Sequence, residues 1–243
     1  MSGQSISTIA ILAGGLAKRM RPLTETIPKA LLDVAGEPFI AHQLRLLKRE
    51  GMAHVVLCLG HLGEMVVDFV GDGARFGLNV TYSFDGDTLR GTGGALRKAL
   101  PHLGDPFYVI YGDSYLDISF APIAAHFLTS GKHGLMTVFR NEGRWDSSNV
   151  VFAGGVVQLY SKTQKRPDMR YIDYGLGILK ASVLLRHGEN ALFDLADVYG
   201  DLAAQGQLAG YETDHRFYEI GSHEGLSETA AYLAQSGKAV GPA

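Results

Sequence analysis

Thr8-Ile-Ala-Ile-Leu-Ala-Gly-Gly-Leu-Ala-Lys-Arg-Met-Arg-Pro-Leu-Thr24 is the stretch on which the fold turns. Thr8–Leu12 is a short apolar run that stops at Gly14-Gly15, and a run so bounded predicts a buried strand entering a Gly-rich loop. Glycines at the carboxyl end of a first strand let backbone N–H groups approach an anion closely. Open α/β sheets bind ligands at that place, outside the strand ends. Lys18, Arg19, Arg21 and, past a proline-punctuated segment, Lys29 put cations beside the loop. That supply suits a triphosphate under attack, whose charge must be neutralised and whose leaving group must be oriented. The spacing matches neither the Walker loop nor the dinucleotide Gly-x-Gly-x-x-Gly.

Outward from this stretch, strand and helix signals alternate. Ile40, Leu44 and Leu47 recur at helical spacing, with Gly51 as a stop. His54–Leu59 reads as a strand, and Leu62, Met65, Val66, Phe69 and Val70 mark the next helix. Leu78–Ser83 is a strand, Gly94–Leu103 a helix and Phe107–Tyr111 a strand. This rhythm predicts parallel strands with crossover helices, a doubly wound α/β sheet. Beyond residue 130 the pieces shorten to Leu135–Arg140, Asn149–Phe152, Val156–Tyr160 and Leu176–Leu179. A helix around Leu192–Ala204, a strand at Leu208–Glu212 and a helix from His223 follow, as a continuation of the same sheet. No long linker or internal repeat interrupts them, and hexapeptide repeats of the β-helix type are absent. The Gly-rich tail, Ser236–Ala243, is expected to fray.

The 243 residues, 46% of them hydrophobic, can bury one substantial core. Charged residues make up 19% and the net charge is -3, so nucleic acid and anionic membranes are not favoured partners. Cys58 is the only cysteine, flanked by Val55, Val56, Leu57 and Leu59, and it reads as a buried strand thiol without a disulfide. Without a signal-peptide pattern or an apolar run of about 18 residues, the expected location is the cytoplasm, away from the membrane. The histidines are scattered and show no zinc-ligand spacing.

Four further constellations carry chemistry. Arg90-Gly-Thr-Gly-Gly-Ala-Leu96 could hold a ribose or base edge by its backbone, or simply start a helix. Asp113, in Tyr111-Gly-Asp-Ser114 at the end of an apolar strand, could hold Mg²⁺ or cap a turn. Glu219 lies in Phe217-Tyr-Glu-Ile-Gly-Ser-His-Glu-Gly-Leu226, where a surface role before a turn is the plainer alternative. Tyr160-Ser-Lys-Thr-Gln-Lys165 precedes Ile172-Asp-Tyr-Gly-Leu-Gly177, and the charges of both could as well be solvated.

The opening stretch continues as Ile27-Pro-Lys-Ala-Leu-Leu-Asp-Val-Ala-Gly-Glu-Pro38. Together the two resemble the entry motif of the sugar-1-phosphate nucleotidyltransferase family, Leu-x-Gly-Gly-x-Gly-x-Arg-Leu-x-Pro-Leu-Thr then Pro-Lys-Pro-Leu-x-Pro-Val-x-Gly. The resemblance spans nearly the whole chain. It implies a Rossmann-like α/β fold of the nucleotide-diphospho-sugar transferase type, a mostly parallel sheet flanked by helices, and a reaction of a nucleoside triphosphate with a sugar 1-phosphate, giving an NDP-sugar and diphosphate. It implies that Leu12, Ala13, Gly14 and Gly15 bind the nucleotide, with Arg19 and Lys29 acting on the phosphates. Gly91, Thr92, Gly93 and Gly94 would lie against base and ribose. Asp113 would be catalytic and hold Mg²⁺ together with Glu219. Lys162, with Lys165 the alternative, would hold the sugar's phosphate, and Asp173 and Gly175, in a glycine-containing turn over Ile172–Gly177, would meet sugar hydroxyls. Three positions depart from the family: Ala17 for Gly, Ala30 for Pro and Glu219 for Asp.

On this reading residues 1–243 form one nucleotidyltransferase domain, nucleotide-binding up to about residue 130 and sugar-binding over about 131–235. The family often forms dimers or tetramers, which implies a homo-oligomer, although no interface stripe stands out. The Gly-Thr-Gly-Gly-Ala loop and Gly112-Asp-Ser-Tyr-Leu-Asp117 most resemble the branch that uses GTP and D-glycero-α-D-manno-heptose 1-phosphate for surface polysaccharide. Uridylyl transfer to N-acetylmuramate 1-phosphate, and thymidylyl or cytidylyl transfer to another sugar phosphate, are the alternatives. A catalytically silent nucleotide sensor would be expected to lack Lys29, Arg19 or Asp113, and all three are present. A glycosyltransferase would need an Asp-x-Asp metal motif, and Asp85-Gly-Asp87 precedes the glycine loop instead of ending a metal-bearing strand. Trp145 and Asp146 receive no role.

Overall fold

The computed structural model describes residues 5–239 apart from 87 and 146. Asp87 and Asp146, and the last four residues of the tail expected to fray, therefore lie outside the described residues. The chain opens with strand β1 (Thr8–Ala13), a short hairpin of β2 (Asp33–Val34) and β3 (Glu37–Pro38), and helix α1 (Phe39–Arg49). Then follow β4 (His54–Leu59), α2 (Gly63–Val70), β5 (Asn79–Phe84), α3 (Gly91–Ala99), β6 (Phe107–Tyr111), β7 (Ser114–Tyr115) and α4 (Ala121–Ser130). The remainder is β8 (Gly134–Arg140), β9 (Val150–Ala153), β10 (Val156–Tyr160), β11 (Tyr171–Leu179), α5 (Ala181–Leu184), α6 (Leu195–Ala204), β12 (Leu208–Thr213), β13 (Tyr218–Glu219) and α7 (His223–Ala239).

Nine strands form one sheet in the order β5-β4-β1-β6-β11-β8-β12-β10-β9. The Rossmann-like class expected from the sequence is present, with its parallel character concentrated in one half. β5, β4, β1 and β6 are parallel, β11 enters antiparallel to both β6 and β8, and β12 runs parallel to β8. The sheet is thus mixed. The expected short strand Leu176–Leu179 is the end of a longer one, and the expected glycine turn at Ile172–Gly177 lies inside it, across an irregularity in register between Asp173 and Gly177. Pairing with β8 lapses there, with Gly175 N donating to Asp173 Oδ1, and resumes at Gly177, so the strand continues through a local irregularity. Helix α4 has no counterpart in the sequence reading.

Alternation along β1 shows how the sheet is covered. Ile9 and Ile11 join a core beneath α1, α2 and α4, while Ala10 faces a second core beneath α3 and α6. Strands covered on both faces read as continuous apolar runs, which is why β1, β4 and β6 were visible in the sequence. Each fully buried aliphatic side chain contributes about 1.5–3 kcal/mol by leaving water. A third cluster joins Val34, Phe39, Tyr115, Ile220 and Leu233, and seats α7 beside the β2–β3 hairpin and the antiparallel pair of β7 and β13. No helix among the described residues is long and apolar enough to cross a membrane.

Candidate active site

The carboxyl ends of β1, β4, β5 and β6 surround a cavity of about 220 Å³. Leu12, Ala13, Gly14, Gly15 and Ala17 line it from the first strand and its loop, Lys29 and Ala30 from the following turn, Gly91 and Thr92 from α3, and Asp113 from the turn just after β6. Close backbone approach makes this possible. A Cβ on Gly112 would lie 2.8 Å from Ala13 Cβ, and one on Gly60 would lie 2.5 Å from Gly14 O, so glycines let neighbouring strand ends converge.

Lys29 sits in a single helical turn, Lys29–Leu31, and its Nζ lies 2.9 Å from Asp113 Oδ2, an ion pair across 84 residues. Asp113 is held by its surroundings as well as by Lys29. Fully buried Gln43 donates from Nε2 to Tyr111 O at 3.0 Å and Ser114 O at 2.9 Å, fixing the chain on either side of the carboxylate. The pairing of β7 with β13 sets Glu219 opposite Ser114, and Ile220 N donates to Asp113 O at 2.9 Å. The late segment therefore returns to the end of β6.

The point of convergence is Gly221. A Cβ there would lie 2.7 Å from Glu219 Oε2, 3.2 Å from Asp113 Oδ2 and 3.4 Å from Arg19 Nη2. Two carboxylates, one guanidinium and, through Asp113, one ammonium thus share a small volume at the cavity's edge. Glu219 uses its extra methylene to fold back, accepting from Gly221 N–H and, at 2.5 Å, from Ser222 Oγ–H. Among the described residues no group of three or more His, Cys, Asp or Glu could hold a metal alone. Mg²⁺ does not require such a cage, since it is commonly held by one or two carboxylates plus substrate phosphates. The pair Asp113–Glu219 fits that donor set.

Ala17, which stands where the family has Gly, adopts a left-handed conformation (φ 46°, ψ 39°). Thr24 Oγ1 donates to Ala17 O at 2.9 Å and closes the loop that carries Arg19. The glycine stretch after Arg90 is the first turn of α3, where a preceding loop was expected. Only Gly91 and Thr92 of its four members line the cavity. Gly93 N and Gly94 N instead donate to Phe193 O, at 3.1 and 3.2 Å, so these glycines serve close packing on residues 191–194.

On the other side of β6, Asp173 Oδ1 accepts from Gly175 N at 3.0 Å and Asp173 Oδ2 from Tyr160 OH at 3.4 Å. Desolvation raises the Asp173 carboxyl above the usual carboxylate range. Gly175 (φ +97°) packs on Tyr111 and Ser114, and so adjoins the cavity wall. Lys162 Nζ lies 3.0 Å from Asp194 Oδ1, while Lys165 is exposed. Burial pushes the Cys58 thiol up to about 12, as a strand cysteine should behave, although it also lines the cavity.

Asp85, Gln43 and Asp194 were not singled out for the site from the sequence. Asp85 follows β5 directly, is buried and lines the cavity, and desolvation raises its carboxyl. Its position at a strand end differs from the place assigned to it above, and periodicity could have located it, because β5 runs to Phe84. Trp145 stacks on Arg216, whose guanidinium carbon lies 3.9 Å from the ring centre.

The family model for nucleotidyl transferases matches residues 9–236, and the chain belongs to this family. An N-acetylmuramate alpha-1-phosphate uridylyltransferase of Neisseria meningitidis serogroup B is 46% identical over 111 residues, which cover 45% of this chain and 48% of that protein. A mannose-1-phosphate guanylyltransferase catalytic subunit beta of Xenopus tropicalis is 29% identical over 217 residues, 87% of this chain and 60% of the relative. The matched stretches thus span about half to three-fifths of these relatives' length. HddC from Yersinia pseudotuberculosis has the same fold, with a TM-score of 0.79 at 20% identity, covering 94% of this chain and 100% of that one.

Proposed function

We propose that the chain is a sugar-1-phosphate nucleotidyltransferase and that its substrates are GTP and D-glycero-α-D-manno-heptose 1-phosphate. The observation that carries the transferase reading is the convergence of Lys29, Asp113, Glu219 and Arg19 beside the Gly14-Gly15 loop. In the reaction, a phosphate oxygen of the sugar 1-phosphate attacks the α-phosphorus of the triphosphate. The bond from that phosphorus to the β-phosphate's bridging oxygen breaks, and diphosphate leaves. Such a transfer needs positioning and charge stabilisation more than covalent help.

The backbone at Gly14 and Gly15 receives the triphosphate, and Arg19 and Lys29 neutralise its charge. Asp113 and Glu219 would hold Mg²⁺, which supplies further charge neutralisation on the phosphates. Lys162 binds the sugar's phosphate, and Asp173 and Gly175 meet its hydroxyls beside Tyr111. The part up to about residue 130 thus serves the nucleotide and the part after it the sugar, within one domain.

The guanylyl assignment rests on the resemblance of Gly91-Thr-Gly-Gly-Ala95 and Gly112-Asp-Ser-Tyr-Leu-Asp117 to the heptose branch. HddC, which shares the fold, is described in complex with GMP-PN. The 46% identity to the Neisseria uridylyltransferase favours a second reading, UTP with N-acetylmuramate 1-phosphate. Diphosphate release with Mg²⁺, across four triphosphates and several sugar 1-phosphates including both of these, separates the two. Lys29→Ala and Asp113→Ala should each lower turnover at least about 100-fold, the scale of losing a key electrostatic group. Near wild-type rates in both folded variants would overturn the transferase assignment.

A further inference from the structure

Lys162 is tied to the nucleotide side of the cavity through one oxygen atom. Asp194 Oδ1 accepts from Lys162 Nζ at 3.0 Å, from Thr92 Oγ1–H at 3.0 Å and from Ala196 N–H at 2.8 Å. Thr92 Oγ1 in turn accepts from Leu195 N at 2.8 Å. Phe193 O, one residue earlier, takes the N–H groups of Gly93 and Gly94. The first turn of α3 and the first turn of α6 are therefore stitched together, and Lys162 hangs from the stitch. Thr92 itself lines the cavity.

We propose that Asp194 is a positioning residue that couples the nucleotide cavity to Lys162, so that the sugar 1-phosphate binds best once a nucleotide is seated against Gly91 and Thr92. The proposal rests on the transferase reading given above. A lysine has a flexible four-carbon stem, and an anchored ammonium is presented to a phosphate in fewer conformations than a free one. A nucleotide against Thr92 fixes the hydroxyl that holds Asp194, and so fixes Asp194 and Lys162 in sequence.

The ion pair is also easy to exchange. Both side chains are nearly half exposed, at 45% and 46%, and pairs so placed in water are weak. A phosphate dianion can therefore draw Lys162 Nζ toward itself. Asp194 is not stranded when that happens, because Thr92 and the Ala196 amide remain on the same oxygen. Its carboxyl lies below the usual range: burial alone would raise it, and the Ala196 amide and Lys162 outweigh that effect.

A purely structural role is the competing explanation, since Asp194 caps α6 and shares a capping box with Asp197. Asp194→Asn separates the two, because asparagine caps a helix as well as aspartate and still accepts from Thr92. The measurements are diphosphate release and calorimetric binding of the sugar 1-phosphate, with and without a non-reactive triphosphate analogue. In the wild type the analogue should tighten sugar 1-phosphate binding at least about fivefold, a common size for coupling between sites. In Asp194→Asn that gain should vanish, with KM for the sugar 1-phosphate up about tenfold and a much smaller change in kcat. Placed on top of Lys162→Met, Asp194→Asn should add nothing further, because it acts through that lysine.

The proposal is overturned if Asp194→Asn leaves KM within about twofold. It is equally overturned if its effect multiplies with that of Lys162→Met, or if the analogue tightens binding as much in the variant as in the wild type. Should the wild type release no diphosphate with any pair of substrates, the transferase reading fails, and this coupling fails with it. Turnover in the wild type with an unchanged variant removes the coupling alone.

Discussion

Substituting Gly221 by alanine tests whether Asp113 and Glu219 act at one point. The added methyl would lie 2.7 Å from Glu219 Oε2, where ordinary contact begins near 3.4 Å, so about 0.7 Å must be found. Backbone strain is not the issue, because Gly221 is not among the residues with positive φ. Glu219 cannot give way freely on its other side. A Cβ on Gly225 would overlap Glu219 Oε1, so the carboxylate already fills that space against the first turn of α7. The methyl therefore pushes Glu219 out of line with Asp113 and presses, at 3.2 Å, on Asp113 Oδ2, while Arg19 Nη2 at 3.4 Å stays at ordinary contact.

Two effects of different size follow. Weakening the charge-assisted bond from Gly221 N–H to Glu219 should cost about 1–2 kcal/mol of stability, which lowers Tm by about 3–6 °C in a chain of this size. Misplacement of a catalytic group by about 1 Å can cost about 100-fold, so a shift near 0.7 Å should lower turnover about 10- to 50-fold. The Mg²⁺ concentration for half-maximal rate should rise alongside. The assay is diphosphate release over a Mg²⁺ titration, with urea unfolding on the same protein. A variant that folds, turns over within twofold of the wild type and keeps its Mg²⁺ dependence would refute the convergence of the two carboxylates as a working site.

Three further outcomes follow from local geometry. Ala17→Gly should raise stability by about 0.5–1 kcal/mol, or about 2 °C in Tm by calorimetry, since a left-handed conformation strains alanine and not glycine; a lower Tm would contradict this. Asp173→Asn should flatten the pH dependence of stability. The raised carboxyl binds its proton more tightly in the folded chain, so its stability contribution is greatest below the unfolded value of about 3.9 and falls as pH rises through the higher folded value. Relative to the wild type, the variant should therefore gain stability from pH 4 to pH 7 in urea titrations, and a constant difference would sink the idea. The Cys58 thiol, pushed up to about 12 by burial, should react with a thiol reagent at pH 8 only as fast as the protein opens; rapid labelling of native protein would show otherwise.

What the sequence disclosed and what it withheld divide along a physical line. β1, β4 and β6 are buried on both faces, so their local composition was sufficient to find them. The Gly14-Gly15 loop and its cations are likewise contiguous, and Lys29 could be named before its partner was seen. Helix α4 was invisible for the opposite reason. Only Ile123 and Phe127 of its ten residues are buried, too thin a stripe for a periodic signal, and Pro122 reads as a breaker although it sits in the first turn. Asp173 and Gly175 suggested a turn because their residue types favour one, and that preference survives as a local irregularity inside β11: pairing with β8 lapses between Asp173 and Gly177, where Gly175 N donates to Asp173 Oδ1, and resumes beyond it.

The site depends on contacts that no window of sequence contains. Gln43 reaches Tyr111 and Ser114 across 68 and 71 residues, and Thr92 reaches Asp194 across 102. The capping box of Asp194 and Asp197 was readable at the start of α6, but a cap says nothing of Lys162. The same distinction explains the departures from the family pattern. Ala17 and Ala30 leave the charges of the entry loop in place, and Ala17 takes the left-handed conformation that glycine would adopt without strain. Glu219 keeps the charge and changes only the length, and the fold absorbs that length locally by turning the carboxylate back onto Gly221 and Ser222. Shortening it, in Glu219→Asp, would free those two donors and leave Asp113 with a more distant neighbour. In this chain, therefore, the glutamate and the two glycines that box it form one unit, and the family's aspartate is not a neutral replacement for it.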